Sequence, residues 1–271
     1  MNFYLNNFED LLVEKVNHSL WITLNRPESS NAYSSPMVRA LVEVLKHADN
    51  DNHIRVIVIT GAGKNFCAGG DIKAMRGKTG MFAGESNELR EAYQTGIQQI
   101  PLVISQLKTP IIAMVNGAAI GAGCDLAAMC DLRIASKDAS FGETFARVGL
   151  VPGDGGAFFV TRLIGFAKAM EMFLTCKIFS AEEASKIGLV NLVVLPDELK
   201  EKTMGLVEEL ASFPPIALQM TKKAVIHGYQ NDLISHLELM AAYQGITQRS
   251  SDHFRALEGM MDKKKPTFKH D

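Results

Sequence analysis

Two stretches of this chain share one layout, and that layout restricts the fold more than any other feature. "RVIVIT" (55–60) is a continuous β-branched run that ends in the glycine-rich "GAGKNFCAGGD" (61–71). "IIAMV" (111–115) leads in the same way into "NGAAIGAGCDLAAMC" (116–130). An unbroken apolar run marks a strand buried on both faces. The small residues after it allow a tight turn and a close approach of backbone to backbone or to a ligand. In each case a helix is expected to follow.

The rest of the chain fits an α/β protein. "LLVEKV" and "SLWITLN" alternate around "NH" and predict a hairpin. Ser35 and Pro36 predict a helix start, with Ser35 as N-cap and apolar positions at Val38, Leu41, Val42 and Leu45. A long helical stretch is expected over 87–108, kinked or broken at Pro101. "DLRIAS" predicts a third buried strand and 190–195 a short one. Helices are expected near 156–163, 167–174, 181–186, 197–211, 215–227 and from 232 onward. A boundary near residue 200 divides the expected strand-rich core, 1–200, from an all-helical region, 201–271.

Free N–H groups in such turns, aided by the helix dipole, suit an anion. Phosphate motifs fail on the residues present. A P-loop ending at Lys64 needs glycine at Val58 and Ser or Thr at Asn65. A dinucleotide fingerprint from Gly61 needs glycine at Phe66. G-x-S-x-G is absent, and all seven histidines lie outside both turns, which disfavours a Ser-His or Cys-His nucleophile. Two readings remain. The glycines permit close packing of strand on helix, or two N–H groups, one from each turn, converge on a single anionic oxygen as an oxyanion hole.

A formal net charge of −2 disfavours a nucleic-acid surface. The four cysteines form no C-x-x-C pair, so no metal site is expected and all four are expected reduced. "MNFYLNNFEDLLVEKV" carries no visible secretory signal, and no apolar stretch is long enough to span a bilayer, so a soluble cytoplasmic protein is expected.

"NFCAGGDI" and "NGAAIGAGCDLAAMCDLRIAS" together resemble the crotonase, or enoyl-CoA hydratase/isomerase, superfamily. The resemblance starts at "WITLNRPESSNAYS", runs through "LTCKIFSAEEASKIGLVNLVV" and "FPPIALQMTKKAV", and ends in "EGMMDKKKPTF". It implies a spiral of ββα units with a C-terminal helical region that serves oligomerisation and pocket closure. It implies a homotrimer or a dimer of trimers. The implied ligand is an acyl-CoA thioester, with no cofactor beyond the coenzyme A of the substrate, no metal, no nucleic acid and no membrane partner. The resemblance assigns the two oxyanion-hole amides to Gly70 and Ala122, and the CoA contacts to Arg26, Ala68, Gly70, Asp71, Ile72 and Ala122. The implied reaction is 2-enoyl-CoA hydration, the alternatives being double-bond isomerisation or acyl-CoA binding without chemistry.

Hydration needs one group to activate water and another to protonate C2, whereas isomerisation needs one base that moves a proton. Hydratases of this family usually carry one Glu where this chain has Asp125 and another where it has Phe145. Three acids are therefore candidates for the chemistry. Asp125 is either catalytic or a first-turn acid favoured by the helix dipole. Glu143 either enters the pocket, pairs with Arg147 or caps the next segment. Asp154 is either chemical or an N-cap, one position beyond Gly153, where isomerase-like relatives often place an acid. Cys67 and Cys124 are expected as small buried apolar groups. Phe158, Phe159 and Met170 are expected in the core or along an acyl tail.

Overall fold

The computed structural model describes residues 3–271. Strands β1 (Leu11–Val16) and β2 (Ser19–Leu24) form the expected hairpin, with Leu11 opposite Leu24 and Val16 opposite Ser19. Helix α1 (Ser35–Asn50) follows. Its N-cap is Ser34 rather than Ser35: the Ser34 hydroxyl accepts the Met37 amide at 3.1 Å, which moves Ser35 and Pro36 into the first turn. Proline costs nothing there, because first-turn amides have no partner within the helix.

β3 (Val56–Gly61) is buried at every position. It leads to α2 (Ile72–Gly77) and α3 (Ser86–Thr95), then α4 (Gln99–Gln106). The expected 87–108 helix is thus two helices, and the break falls at Gly96–Gln98, not at Pro101. Pro101 is the third residue of α4, where its missing N–H is no loss. Next come β4 (Ile111–Val115), β5 (Ala118–Ile120), α5 (Ala122–Met129), β6 (Leu132–Ser136) and β7 (Ser140–Gly142). The short strand β5 lies inside what the sequence presents as a turn. The remainder is α6 (Gly156–Ile164), α7 (Phe166–Thr175), β8 (Ile178–Ser180), α8 (Ala181–Lys186), β9 (Leu192–Val194), α9 (Leu199–Ala211), α10 (Pro215–Gln230), α11 (Leu233–Thr247) and α12 (Ser251–Asp262).

The strands form two sheets. The larger has order β1-β2-β3-β4-β6-β9 and is parallel from β2 onward; the smaller has order β5-β7-β8. Each turn of the chain crosses from one sheet to the other and ends in a helix. β4-β5-α5 and β6-β7-α6 are two such ββα units. In the unit that begins with β3, the second strand shrinks to a single parallel bridge between Cys67 and Ala119. Stacked in succession, these units make the expected spiral.

Alternation along β3 shows how the larger sheet is covered. Ile57 and Ile59 face the main core with Met37, Leu41 and Leu45 of α1. Val56 and Val58 face the other side, where Trp21, Ile112 and Val207 of α9 bury them. Period-2 side chains buried on both faces are why Val56 to Ile59 are all apolar, and the buried Thr60 that follows donates its hydroxyl to the Met114 carbonyl. Among the described residues, no helix is long and apolar enough to cross a membrane.

Candidate active site

The two glycine-rich turns are pressed against each other. A Cβ on Gly123 would lie 2.0 Å from the Cys67 carbonyl oxygen, so only glycine lets the N-terminus of α5 approach the first turn. Gly69 has φ +85°, and a Cβ on it would lie 2.7 Å from the Ile120 carbonyl and 3.1 Å from the Ala122 amide nitrogen. The amides of Gly70 and Ala122 therefore sit in adjoining turns. Among the described residues neither amide takes part in the backbone hydrogen bonds of the turns and loops, and Ala122 is the first residue of α5, where an amide has no intrahelical acceptor. Phe145 packs here too, its ring 3.8 Å from where a Cβ on Gly121 would be.

Three acids meet beside these turns. Asp125, in α5, and Glu143, just after β7, are fully buried, and Asp154 nearly so. The pairing of β5 with β7 brings them together. Ile120 lies opposite Gly142, and the Gly121 amide donates to the Gly142 carbonyl at 2.7 Å. Glu143 is thereby carried to the first turn of α5. Asp154 arrives on the turn before α6, and α6 touches α5 where the Asp125 carboxylate meets Gly156.

Among the described residues no hydrogen bond of good geometry reaches a carboxyl oxygen of Asp125 or of Glu143, although the Gly156 amide and the Cys124 thiol lie beside them. With both ionised, all four oxygens would be orphaned in the interior, at several kcal/mol for each lost partner and far more for the charge. One proton held between them supplies the missing donor, and Glu143 to Asp125 is the favoured direction. Burial, then the neighbouring Asp125 charge, holds Glu143 well above the usual carboxylate range. Burial, with Asp154 adding repulsion, raises Asp125. The two titrate as a pair. Asp154 is pushed up to about 6 by burial, moderated by a hydrogen bond from Tyr93 of α3. No cation acts on any of the three. Of the three, Asp154 is the most readily ionised, and the Asp125–Glu143 pair holds a proton more tightly.

Two alternatives raised by the sequence are overturned. Glu143 does not pair with Arg147, whose guanidinium donates instead to the Cys176 carbonyl at 2.6 Å. Asp154 does not cap α6: the N-cap is Gly155, with φ +107°, and no side chain caps that end. Cys67 and Cys124 are buried as expected, and burial pushes the Cys67 thiol up to about 12, which leaves it no thiolate at neutral pH. Phe158 and Met170 are exposed rather than in the core; Phe158 stacks under Arg162.

The remaining expected contacts form a second group at the mouth of the first turn. Arg26 donates to the Ala32 carbonyl at 2.8 Å and to Asp71 at 3.3 Å. Asp71 caps α2 through the Lys73 and Ala74 amides, and these bonds with Arg26 lower its pKa. The Ala68 amide donates to Ser30 at 2.9 Å, and Ile72 is 58% exposed. Sequence reasoning missed two participants. Tyr93 shows only as one aromatic in a polar helix, and Gly156 only as one glycine of "GDGG".

A family model described as Enoyl-CoA hydratase/isomerase matches residues 15–271. A Rhizobium meliloti protein named "Probable enoyl-CoA hydratase" is 36% identical over 264 residues, covering 97% of this chain and 99% of its own. The short-chain-enoyl-CoA hydratase of Clostridium acetobutylicum is 34% identical, covering 96% of this chain and 97% of its own. The crystal structure of an enoyl-CoA hydratase from Bacillus anthracis superposes with a TM-score of 0.91 at 32% identity, over 97% of this chain and 100% of that one.

Proposed function

Because the chain belongs to the enoyl-CoA hydratase/isomerase family, we propose that it is an enzyme that adds water across the double bond of a 2-enoyl-CoA. The observation that carries this reading is the pair of unpartnered amides at Gly70 and Ala122 beside a cluster of three buried acids.

In this reading the thioester oxygen accepts both amides. As water bonds to C3, negative charge moves onto that oxygen, where fixed donors in a dry site stabilise it more than solvent would. Asp154, ionised above about pH 6, removes the proton from the attacking water. The Asp125–Glu143 pair, which holds a proton more tightly, delivers one to C2. The two roles divide as the acids divide: Asp154, the more readily ionised, is the base, and the pair held further above the carboxylate range is the acid. Coenzyme A arrives with the substrate, with Arg26, Ala68, Asp71 and Ile72 at its end of the site, and no other cofactor has a step to perform.

The apolar ring of Phe145 supports a second reading, isomerisation, because it fills the position of the usual second acid and leaves that side of the site without one. A homotrimer or dimer of trimers, working in the cytoplasm, belongs to the same proposal. So does the division into a core, 1–200, and a helical oligomerising region, 201–271. Its support is the exposed apolar surface of α10 to α12, including Ile234, Leu237, Ile246, Met260 and Met261.

Incubation of the purified protein with short and long 2-enoyl-CoA, followed by mass analysis, tests the reading. A product heavier by one water supports hydration. An isomer of unchanged mass supports the second reading. Tight binding without turnover of any enoyl- or dienoyl-CoA would contradict both and leave a binding protein.

A further inference from the structure

Two side-chain amides from distant parts of the chain grip the first glycine-rich turn at a shared carbonyl. Asn31 lies fully buried between β2 and α1, with φ +57°. Its Nδ2 donates to the Ala62 carbonyl at 2.9 Å and to the Asn65 carbonyl at 2.8 Å, and its Oδ1 accepts the Arg26 amide at 2.9 Å. Asn116 opens the second glycine-rich turn. Its Nδ2 donates to the Gly63 carbonyl at 3.0 Å and to the same Asn65 carbonyl at 3.3 Å, while its Oδ1 accepts the Gly61 amide at 3.2 Å. Among the described residues, every side-chain hydrogen bond that reaches the 61–66 backbone from outside it comes from these two asparagines.

The Asn31 segment also fixes the exit of that turn. The Ala68 amide donates to the Ser30 carbonyl at 2.9 Å, the Cys67 thiol to the Asn31 carbonyl at 3.1 Å, and the Tyr33 amide to the Gly69 carbonyl at 2.8 Å. Gly70 is the next residue and pairs with Tyr33 in a single parallel bridge. We propose that Asn31 and Asn116 are positioning residues for the oxyanion hole, a clamp that sets the place of the Gly70 amide relative to the Ala122 amide. That these amides serve a thioester oxygen rests on the hydratase reading given above; the clamp on the turns does not.

Glycine-rich backbone has wide conformational freedom unless something outside it removes that freedom. An oxyanion donor works only if it is in place before the charge develops, and a displacement of about 1 Å can cost about 10²-fold in rate. Backbone bonds already join the middles of the two turns: the Cys67 amide donates to the Ala118 carbonyl at 3.0 Å, and the Ile120 amide to the Cys67 carbonyl at 2.9 Å. The start of the first turn, 61–65, is left to the asparagines. Position 31 demands this residue type. It needs a side chain that tolerates the left-handed backbone and offers two donors and an acceptor at once. Aspartate would set an acceptor oxygen against two carbonyls. Glycine keeps the backbone conformation and removes only the clamp.

The test reads the oxyanion hole and turnover separately, in full-length wild type, Asn31→Gly and Asn116→Ala. Butanoyl-CoA has no double bond to hydrate, and a carbon-13 label on its thioester carbonyl lets infrared difference spectra report how strongly bound donors polarise that group. Wild type is expected to lower the carbonyl band relative to the free ligand. In both variants the lowering should shrink, and kcat for 2-butenoyl-CoA should fall by about 10²-fold with a much smaller change in KM. Val44→Ala truncates a buried side chain of α1, so it should lower the melting temperature while keeping both the band position and kcat. If Asn31→Gly does not fold, the half-buried Asn116 decides alone. A folded asparagine variant that keeps either the wild-type band or the wild-type kcat would overturn the proposal, as would equal losses in Val44→Ala. No turnover in wild type, with a lowered band that the variants lose, would overturn the hydratase reading and leave the clamp standing. A wild-type band that is not lowered would overturn both.

Discussion

The carboxylate of Asp125 lies where a side chain on Gly156 would begin: a Cβ there would sit 1.6 Å from Oδ1 and 2.4 Å from Cγ. α5 and α6 therefore meet in part through a carboxyl group. Gly156→Ala must push the acid or the helix aside. It is expected to cost about 1–3 kcal/mol, as overpacking does, and to lower turnover as well. Thermal melts and rates measured together check this. Gly205→Ala serves as the contrast: within α9 its Cβ would meet nothing within 4 Å, and it should stabilise by roughly 0.5–1 kcal/mol.

Asp154 gives the protein a pH-dependent stability of defined sign. Its folded value, about 6, lies above the ordinary 3.8, so the folded state binds the proton more tightly than the unfolded state. The stability it contributes is complete below about pH 4 and is lost as pH rises through 6. At about 1.4 kcal/mol per unit the change over that window is about 3 kcal/mol. Urea unfolding between pH 4 and 8 should show a loss of stability that is larger in wild type than in Asp154→Asn by about this amount, the remainder coming from the Asp125–Glu143 pair.

The Asp125–Glu143 pair should separate activity from stability. Asp125→Asn and Glu143→Gln each remove a proton-transfer group, and each should lower kcat by roughly 10²–10⁴. Each also replaces a buried acid with a neutral amide that supplies a donor to its orphaned neighbour. Both raised pKa values mean stability falls as pH climbs through the titration of the pair. At pH 8 the two variants should therefore unfold at higher urea than wild type. Loss of both rate and stability would contradict this account of the pair.

The buried strands were legible because burial on both faces leaves a continuous apolar run, as in Val56 to Ile59 of β3 and throughout β4. The glycine-rich turns were legible because close backbone approach excludes side chains, as Gly123 against Cys67 shows. The α1 cap was off by one residue because Ser34 and Ser35 are chemically equal, and only the hydrogen bond to Met37 separates them. The meeting of Asp125, Glu143 and Asp154 could not be read from their spacing. It depends on β5 pairing with β7, and three-residue strands leave almost no periodic signal. Tyr93 was hidden for a related reason: a helix with no buried residue gives no reason to single out one aromatic.

The account rests on the Ala122 amide as an oxyanion donor, and one substitution removes that donor. Ala122 is the first residue of α5, a position where proline fits a helix without loss of an internal hydrogen bond. The decisive measurement is kcat for 2-enoyl-CoA hydration by Ala122→Pro beside wild type and Ala122→Gly, with melting curves for all three. The account expects the glycine variant to keep its rate and the proline variant to lose about 10²–10³ in kcat while remaining folded. A folded Ala122→Pro enzyme that hydrates at the wild-type rate would contradict it.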